Sequence, residues 1–133
     1  MRTKKIKIII EKSIDAFGAY TENVEGGYGM GNTAEEAKLN AIKGLELHKK
    51  YNKNNLPPIL KGEYEFVFKY DTQSFLAYYK KIFTNAALER MTGINQKQFQ
   101  HYASGLKKPR QAQVKKIEAA MHELGKELMA VEL

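Results

Sequence analysis

The chain has 133 residues, 43% of them hydrophobic and 28% charged, which excludes a large multidomain enzyme and a disordered polymer and leaves one ordinary domain or two small ones. It contains no cysteine, so disulfide frameworks, thiolate metal sites and cysteine nucleophiles are excluded together. Its net charge of +7 favours acidic partners such as nucleic acid without identifying one.

The start, Met1 to Glu11, is basic, but its only unbroken apolar run is Ile8, Ile9 and Ile10, too short for a signal sequence or a membrane span. A cytoplasmic protein with no membrane partner is the expectation. From Lys4 to Glu11 an isoleucine-rich alternation predicts a first strand, and Ala16 to Tyr20 a second. Gly26 to Gly31 (GGYGMG) reads as a turn into a short third strand. It lacks the spacing of a dinucleotide loop and the Lys-Ser/Thr of a phosphate loop, so glycine is expected there for tight packing.

Thr33, with Glu36 three residues later, forms a capping box that opens a helix running to about Tyr51. Ala37, Ala41, Ile42, Leu45 and His48 fall on one stripe, which lays that helix over a sheet. His48 has no second ligand in the sequence pattern and is read as structural. Asn52 to Pro58 is a polar connection, and 63–70 alternates charged with aromatic or branched residues as a fourth strand. The result is an α+β unit of about 70 residues. Its acids, Glu11, Asp15, Glu22 and Glu25, are too scattered for a two-metal carboxylate cluster, and no serine, histidine and aspartate set accompanies them. Neither catalysis nor a cofactor is expected.

Read as a whole, residues 4–70 resemble the N-terminal domain of HicB-type antitoxins, a truncated RNase H-like fold. The resemblance rests on the opening strand, the strand Ala16 to Tyr20, the returning strand 63–70 and, above all, GNTAEEA at Gly31 to Ala37. Asn32 stands where the family usually has an acid, and Thr21-Glu22-Asn23 departs from its Pro-Asp element, so the chain falls in a divergent branch. The resemblance implies a catalytically silent domain that binds and blocks a small, basic, HicA-like ribonuclease toxin that cleaves mRNA. Tyr20, Glu22, Glu25 and Tyr28 are the candidates for meeting such a basic partner.

From Asp71 the pattern turns wholly helical. Asp71 and Thr72 can cap a helix carrying Phe75, Leu76, Tyr79, Ile82 and Phe83. A second helix runs from Thr84 or Asn85 through Met91, a turn follows at Thr92, Gly93 and Ile94, and Asn95 caps a third helix to Ser104, which is helix-turn-helix spacing. Leu88, Ile94, Phe99 and Tyr102 supply a small core. Between Glu89 and Glu118 the chain has seven basic residues (Arg90, Lys97, Lys107, Lys108, Arg110, Lys115 and Lys116) and no acid, the electrostatic footprint of a polyanion site or else a solvated lysine-rich face.

The string GINQKQFQHYASGLKKP, Gly93 to Pro109, resembles the Xre-like, phage-repressor class of helix-turn-helix domain, and the resemblance spans about residues 72–125. It implies that Gln96, Lys97, Gln100 and His101 face base edges. Thr84, Asn85, Ser104, Lys107, Lys108 and Arg110 would hold phosphates. The chemistry fits, since glutamine pairs with adenine and lysine donates to guanine. His101 has no partner ligand or carboxylate and is not read as a metal ligand or a catalytic base.

Val114, Ile117, Met121, Leu124, Leu128 and Val131 are spaced as a heptad stripe. The helix-turn-helix core can use the first three, which leaves Leu124, Leu128 and Val131 to be covered and makes them, with Met121 at their margin, the expected dimer seam; packing on the chain's own N-terminal domain is the alternative. A two-fold dimer would set recognition helices one DNA turn apart, roughly 34 Å, over an inverted-repeat operator.

The expectation is therefore two domains. Residues 1–70 would be a HicB-like toxin-binding domain and 71–133 an Xre-like DNA-binding and dimerisation domain of an antitoxin that represses its own operon. Two rivals stand beside it: a transcriptional regulator whose N-terminal domain senses a ligand or oligomerises, and a working RNase H-like nuclease, which would need clustered metal-binding carboxylates.

Overall fold

A computed structural model describes residues 3–133; the first two residues of the basic start lie outside it. The protein is α+β, a four-stranded mixed sheet with five α-helices. It divides into two compact units, one through Ser74 and one from Phe75 to Leu133.

In the first unit β1 (Lys4–Lys12) carries Ile6, Ile8 and Ile10 on one face, all fully buried, because a strand sends alternate side chains to opposite sides. β2 (Phe17–Thr21) pairs antiparallel with β1, and β3 (Tyr28–Gly31) antiparallel with β2. β4 (Tyr64–Tyr70) lies parallel to β1 on its other side, giving the order β3-β2-β1-β4. Joining β3 to a strand parallel to β1 needs a crossover, and α1 (Ala34–Tyr51) supplies it.

The Thr33 half of the capping box forms, and the reciprocal bond is shifted to the residue before the cap. Thr33 Oγ1 accepts the Glu36 N–H at 3.1 Å, and the Glu36 carboxylate reaches back to the Asn32 N–H at 3.4 Å. Ala37, Ala41 and Leu45 are fully buried, and Leu45 joins Ile6 and Leu60 in a core flanked by Phe66 and Tyr64. The polar connection after α1 contains two 3₁₀ turns, Lys53–Asn55 and Pro58–Leu60, the second of which delivers Leu60 to that core.

The glycines of GGYGMG allow α1 to approach β3 backbone to backbone. A Cβ on Gly29 would sit 2.3 Å from the Ala41 nitrogen, and one on Gly31 2.8 Å from the Ala37 nitrogen. From the helix side Gly44 does the same, a Cβ there meeting the Tyr28 carbonyl oxygen at 3.0 Å, and Asn40 Nδ2 donates to the Met30 carbonyl at 2.7 Å. His48 lies against Gly26, whose φ of +105° already favours glycine.

α2 (Thr72–Tyr79) begins with the Asp71 carboxylate accepting the Ser74 N–H at 3.1 Å, and the division between units falls within it. It is shorter than its apolar pattern predicts. The N–H groups of Ile82 and Phe83 both donate to the Tyr79 carbonyl at 2.9 Å, closing a turn that carries Phe83 to the second core and leaves Ile82 67% exposed. The chain must turn there because Thr84 takes extended backbone as the cap of α3 (Asn85–Thr92).

A tight turn joins α3 to α4 (Gln96–Ser104), with Gly93 left-handed at φ 79°. α5 (Gln111–Met129) completes the unit. Its core is Leu76, Leu88, Ile94, Phe99, Tyr102 and Ile117, with the Phe99 and Tyr102 rings edge to face at 6.2 Å.

Candidate nucleic-acid interface

α4 is nine residues, about 13 Å long, and successive side chains rotate by roughly 100°. Phe99 and Tyr102 are buried, so the opposite face carries Gln96, Lys97, Gln100, His101 and Ser104. The sequence-predicted base-contact residues thus share one helix face with Ser104. All but His101 are exposed; the His101 ring is half-buried, and its Nδ1 is enclosed with no hydrogen-bond partner, so that nitrogen points away from the exposed surface.

The start of α4 is held from three sides. Asn95 Oδ1 accepts the Lys97 N–H at 2.8 Å, the Asn95 carbonyl accepts the Gln98 N–H at 2.9 Å, and the Glu89 carboxylate on α3 accepts the Gln96 N–H at 2.8 Å. With those amides satisfied, the side chains at the start of α4 are what it offers to a partner. Across the turn, Thr92 Oγ1 donates to the Leu88 carbonyl at 2.7 Å and accepts the Ile94 N–H at 3.1 Å.

At the start of α3, Thr84 Oγ1 accepts the Ala87 N–H at 3.0 Å. Asn85, Gln100 and Ser104 share a depression of about 220 Å³ floored by Phe75, Tyr79 and Phe83, with Lys80 at its rim. The start of α3 and one margin of the α4 face are therefore continuous. Lys80 was not singled out from the sequence, because it lies in the segment read there as helix. Lys107, Lys108 and Arg110 sit exposed in the connection between α4 and α5, which the Lys107 N–H ties back to the His101 carbonyl at 3.3 Å. Among the described residues neither Lys97 nor any of these three cations is ion-paired.

The predicted seam on α5 needs a correction. Met121 packs against the second core, Leu124 is half-buried and Leu128 is 60% exposed, but Val131 lies beyond the helix. The Ala130 N–H turns back to the carbonyls of Glu127 and Leu128, which ends the helical spacing on which Val131 was placed in the stripe.

In the first unit Tyr20 and Tyr28 are directly opposite each other across β2 and β3, on the face of the sheet away from α1. The Tyr20 hydroxyl donates to Glu11 at 3.4 Å. Lost solvation, and then the Glu11 carboxylate, push this phenol above its ordinary range. Glu22 pairs with Lys7 at 3.8 Å, and Glu25 is exposed in the turn that follows. Thr21 organises that turn by donating from Oγ1 to the Val24 carbonyl at 2.6 Å.

Among the described residues no three His, Asp or Glu side chains gather as a metal site, and no helix is long and apolar enough to cross a membrane. In comparisons with known proteins, no family model, no curated protein and no solved structure matches this chain.

Proposed function

We propose that this chain is a HicB-like antitoxin of the cytoplasm, in which a partial RNase H-like unit blocks a small HicA-like ribonuclease and a helix-turn-helix unit represses the operon. The observation that carries the DNA half is the α4 face. Gln96, Lys97, Gln100 and His101 stand opposite Phe99 and Tyr102, within the acid-free stretch between Glu89 and Glu118. In this reading α4 enters the major groove, Gln96 and Gln100 pair with adenine, and Lys97 donates to guanine. Thr84, Asn85, Ser104, Lys107, Lys108 and Arg110 set register on phosphates, so binding falls steeply with salt. The exposed Leu128 with Leu124 joins two copies over an inverted repeat.

The toxin-binding half is supported by the sheet order β3-β2-β1-β4, with α1 crossing between β3 and a β4 parallel to β1, and by the adjacent tyrosines Tyr20 and Tyr28 beside Glu11 and Glu22. Inhibition here is by coverage, so no chemistry is asked of this unit. The nuclease alternative would require clustered metal-binding carboxylates, and Mg²⁺-dependent cleavage by the purified chain would support it.

The test is co-expression with the adjacent small reading frame, followed by pull-down and growth of cells expressing that neighbour alone. Toxicity relieved by this chain within a stable complex supports the antitoxin reading. A harmless neighbour and no complex would leave a DNA-binding regulator.

A further inference from the structure

β4 is an edge strand, paired with β1 over seven uninterrupted residues, with no proline and no bulge. Such an edge is a template for another strand unless something blunts it. Val67 and Phe68 remain 38% and 36% exposed. The sequence of β4, Tyr64-Glu65-Phe66-Val67-Phe68-Lys69-Tyr70, reads the same from either end except at one pair of positions, where it has opposite charges.

We propose that β4 pairs antiparallel with β4 of a second copy about a two-fold axis through Val67, joining the two sheets into one of eight strands. An antiparallel two-fold within a sheet keeps each residue on its own face, so Glu65 of each copy meets Lys69 of the other, Phe66 meets Phe68, and Tyr64 meets Tyr70. Every position then finds a partner that stabilises a sheet: two opposite-charge pairs on the face away from α1, and aromatic pairs on the face toward it. Neighbouring registers are worse. A parallel in-register pairing would set Glu65 on Glu65 and Lys69 on Lys69, sliding two residues toward the C-terminus would set Glu65 opposite Asp71, and sliding two residues the other way would keep Lys69 opposite an acid, Glu63, but leave Glu65 opposite Val67 and Tyr70 opposite Gly62. Charge thus selects the partner, a second copy, and its register. This surface belongs to the first unit and the α5 seam to the second.

The absence of cysteine makes the test direct in the full chain. Val67→Cys places two thiols on the axis at about 4.5–5.5 Å between Cα atoms, within disulfide range, and a mild oxidant should give a covalent dimer. Glu65→Cys alone should not cross-link to itself, whereas Glu65→Cys mixed with Lys69→Cys should. In the Val67→Cys background, adding Lys69→Glu should raise the concentration needed for half cross-linking about tenfold, and mixing that protein with its Glu65→Lys counterpart should restore it. Circular dichroism establishes that each variant is folded. Equal cross-linking at positions 65 and 67, no cross-linking at 67 in the folded protein, or failure of the charge-swapped mixture to recover would each overturn the proposal.

Discussion

The carboxylate of Glu89 accepts the backbone N–H of Gln96 at 2.8 Å, so a side chain of α3 caps α4 across the turn between them. The two helices are locked by a charged acceptor as well as by the Leu88, Ile94 and Phe99 packing beneath. Glu89→Ala should cost about 1–2 kcal/mol, lowering the melting temperature of this unit by several degrees. Glu89→Gln, which keeps an acceptor oxygen, should recover part of the loss. Thermal unfolding followed by circular dichroism measures both.

On the DNA reading, Gln96→Ala and Lys97→Ala should each weaken operator binding roughly ten- to a hundredfold without changing thermal stability, because both side chains are exposed on α4. Lys107→Ala and Lys108→Ala should weaken all DNA sequences alike and shallow the slope of log affinity against log salt by about 1 each. Fluorescence anisotropy with specific and scrambled duplexes across a salt series separates the two classes.

The two halves should also separate functionally. Joint substitution of Gln96 and Lys97 by alanine should abolish operator binding and leave toxin neutralisation intact, and joint Tyr20→Ala and Tyr28→Ala should do the reverse. Growth rescue and anisotropy on the same purified variants read both activities. Loss of both in a folded variant would refute the division.

Three glycine substitutions should have effects set by their surroundings. Gly29→Ala places a methyl 2.3 Å from the Ala41 backbone nitrogen, which only separation of α1 from β3 can relieve, so a loss of about 3 kcal/mol or more is expected. Gly31→Ala meets the Glu36 Cβ at 2.7 Å and the Ala37 backbone nitrogen at 2.8 Å, milder overlaps than the one at Gly29, and should cost less. Gly125→Ala, inside α5 with open space around it, should stabilise by roughly 0.5–1 kcal/mol. Urea unfolding midpoints give all three.

The local part of this protein is legible in its amino-acid order. Thr33 and Asn95 each cap a helix, Gly93 makes the left-handed turn, and the alternation of Ile6, Ile8 and Ile10 marks β1, because each of these signals acts within a few residues of itself. The α4 face was legible for the same reason: once Phe99 and Tyr102 are assigned to the core, helical geometry puts Gln96, Lys97, Gln100 and His101 on the other side. Whatever depends on distant partners emerged from the packing of whole elements. The pairing of β4 with β1, the meeting of Tyr20 and Tyr28, and the choice of α1 as the backbone that Gly29 and Gly31 pack against all join residues with no local signal for one another. The ends of α2 at Tyr79 and of α5 before Val131 were hidden for another reason: apolar periodicity continues past both, while short-range bonds to the Tyr79, Glu127 and Leu128 carbonyls turn the backbone away. Hydrogen bonds between near neighbours can be read from spacing, but contacts closed by the packing of whole elements cannot, because many arrangements satisfy the same local pattern and only the assembled core selects one.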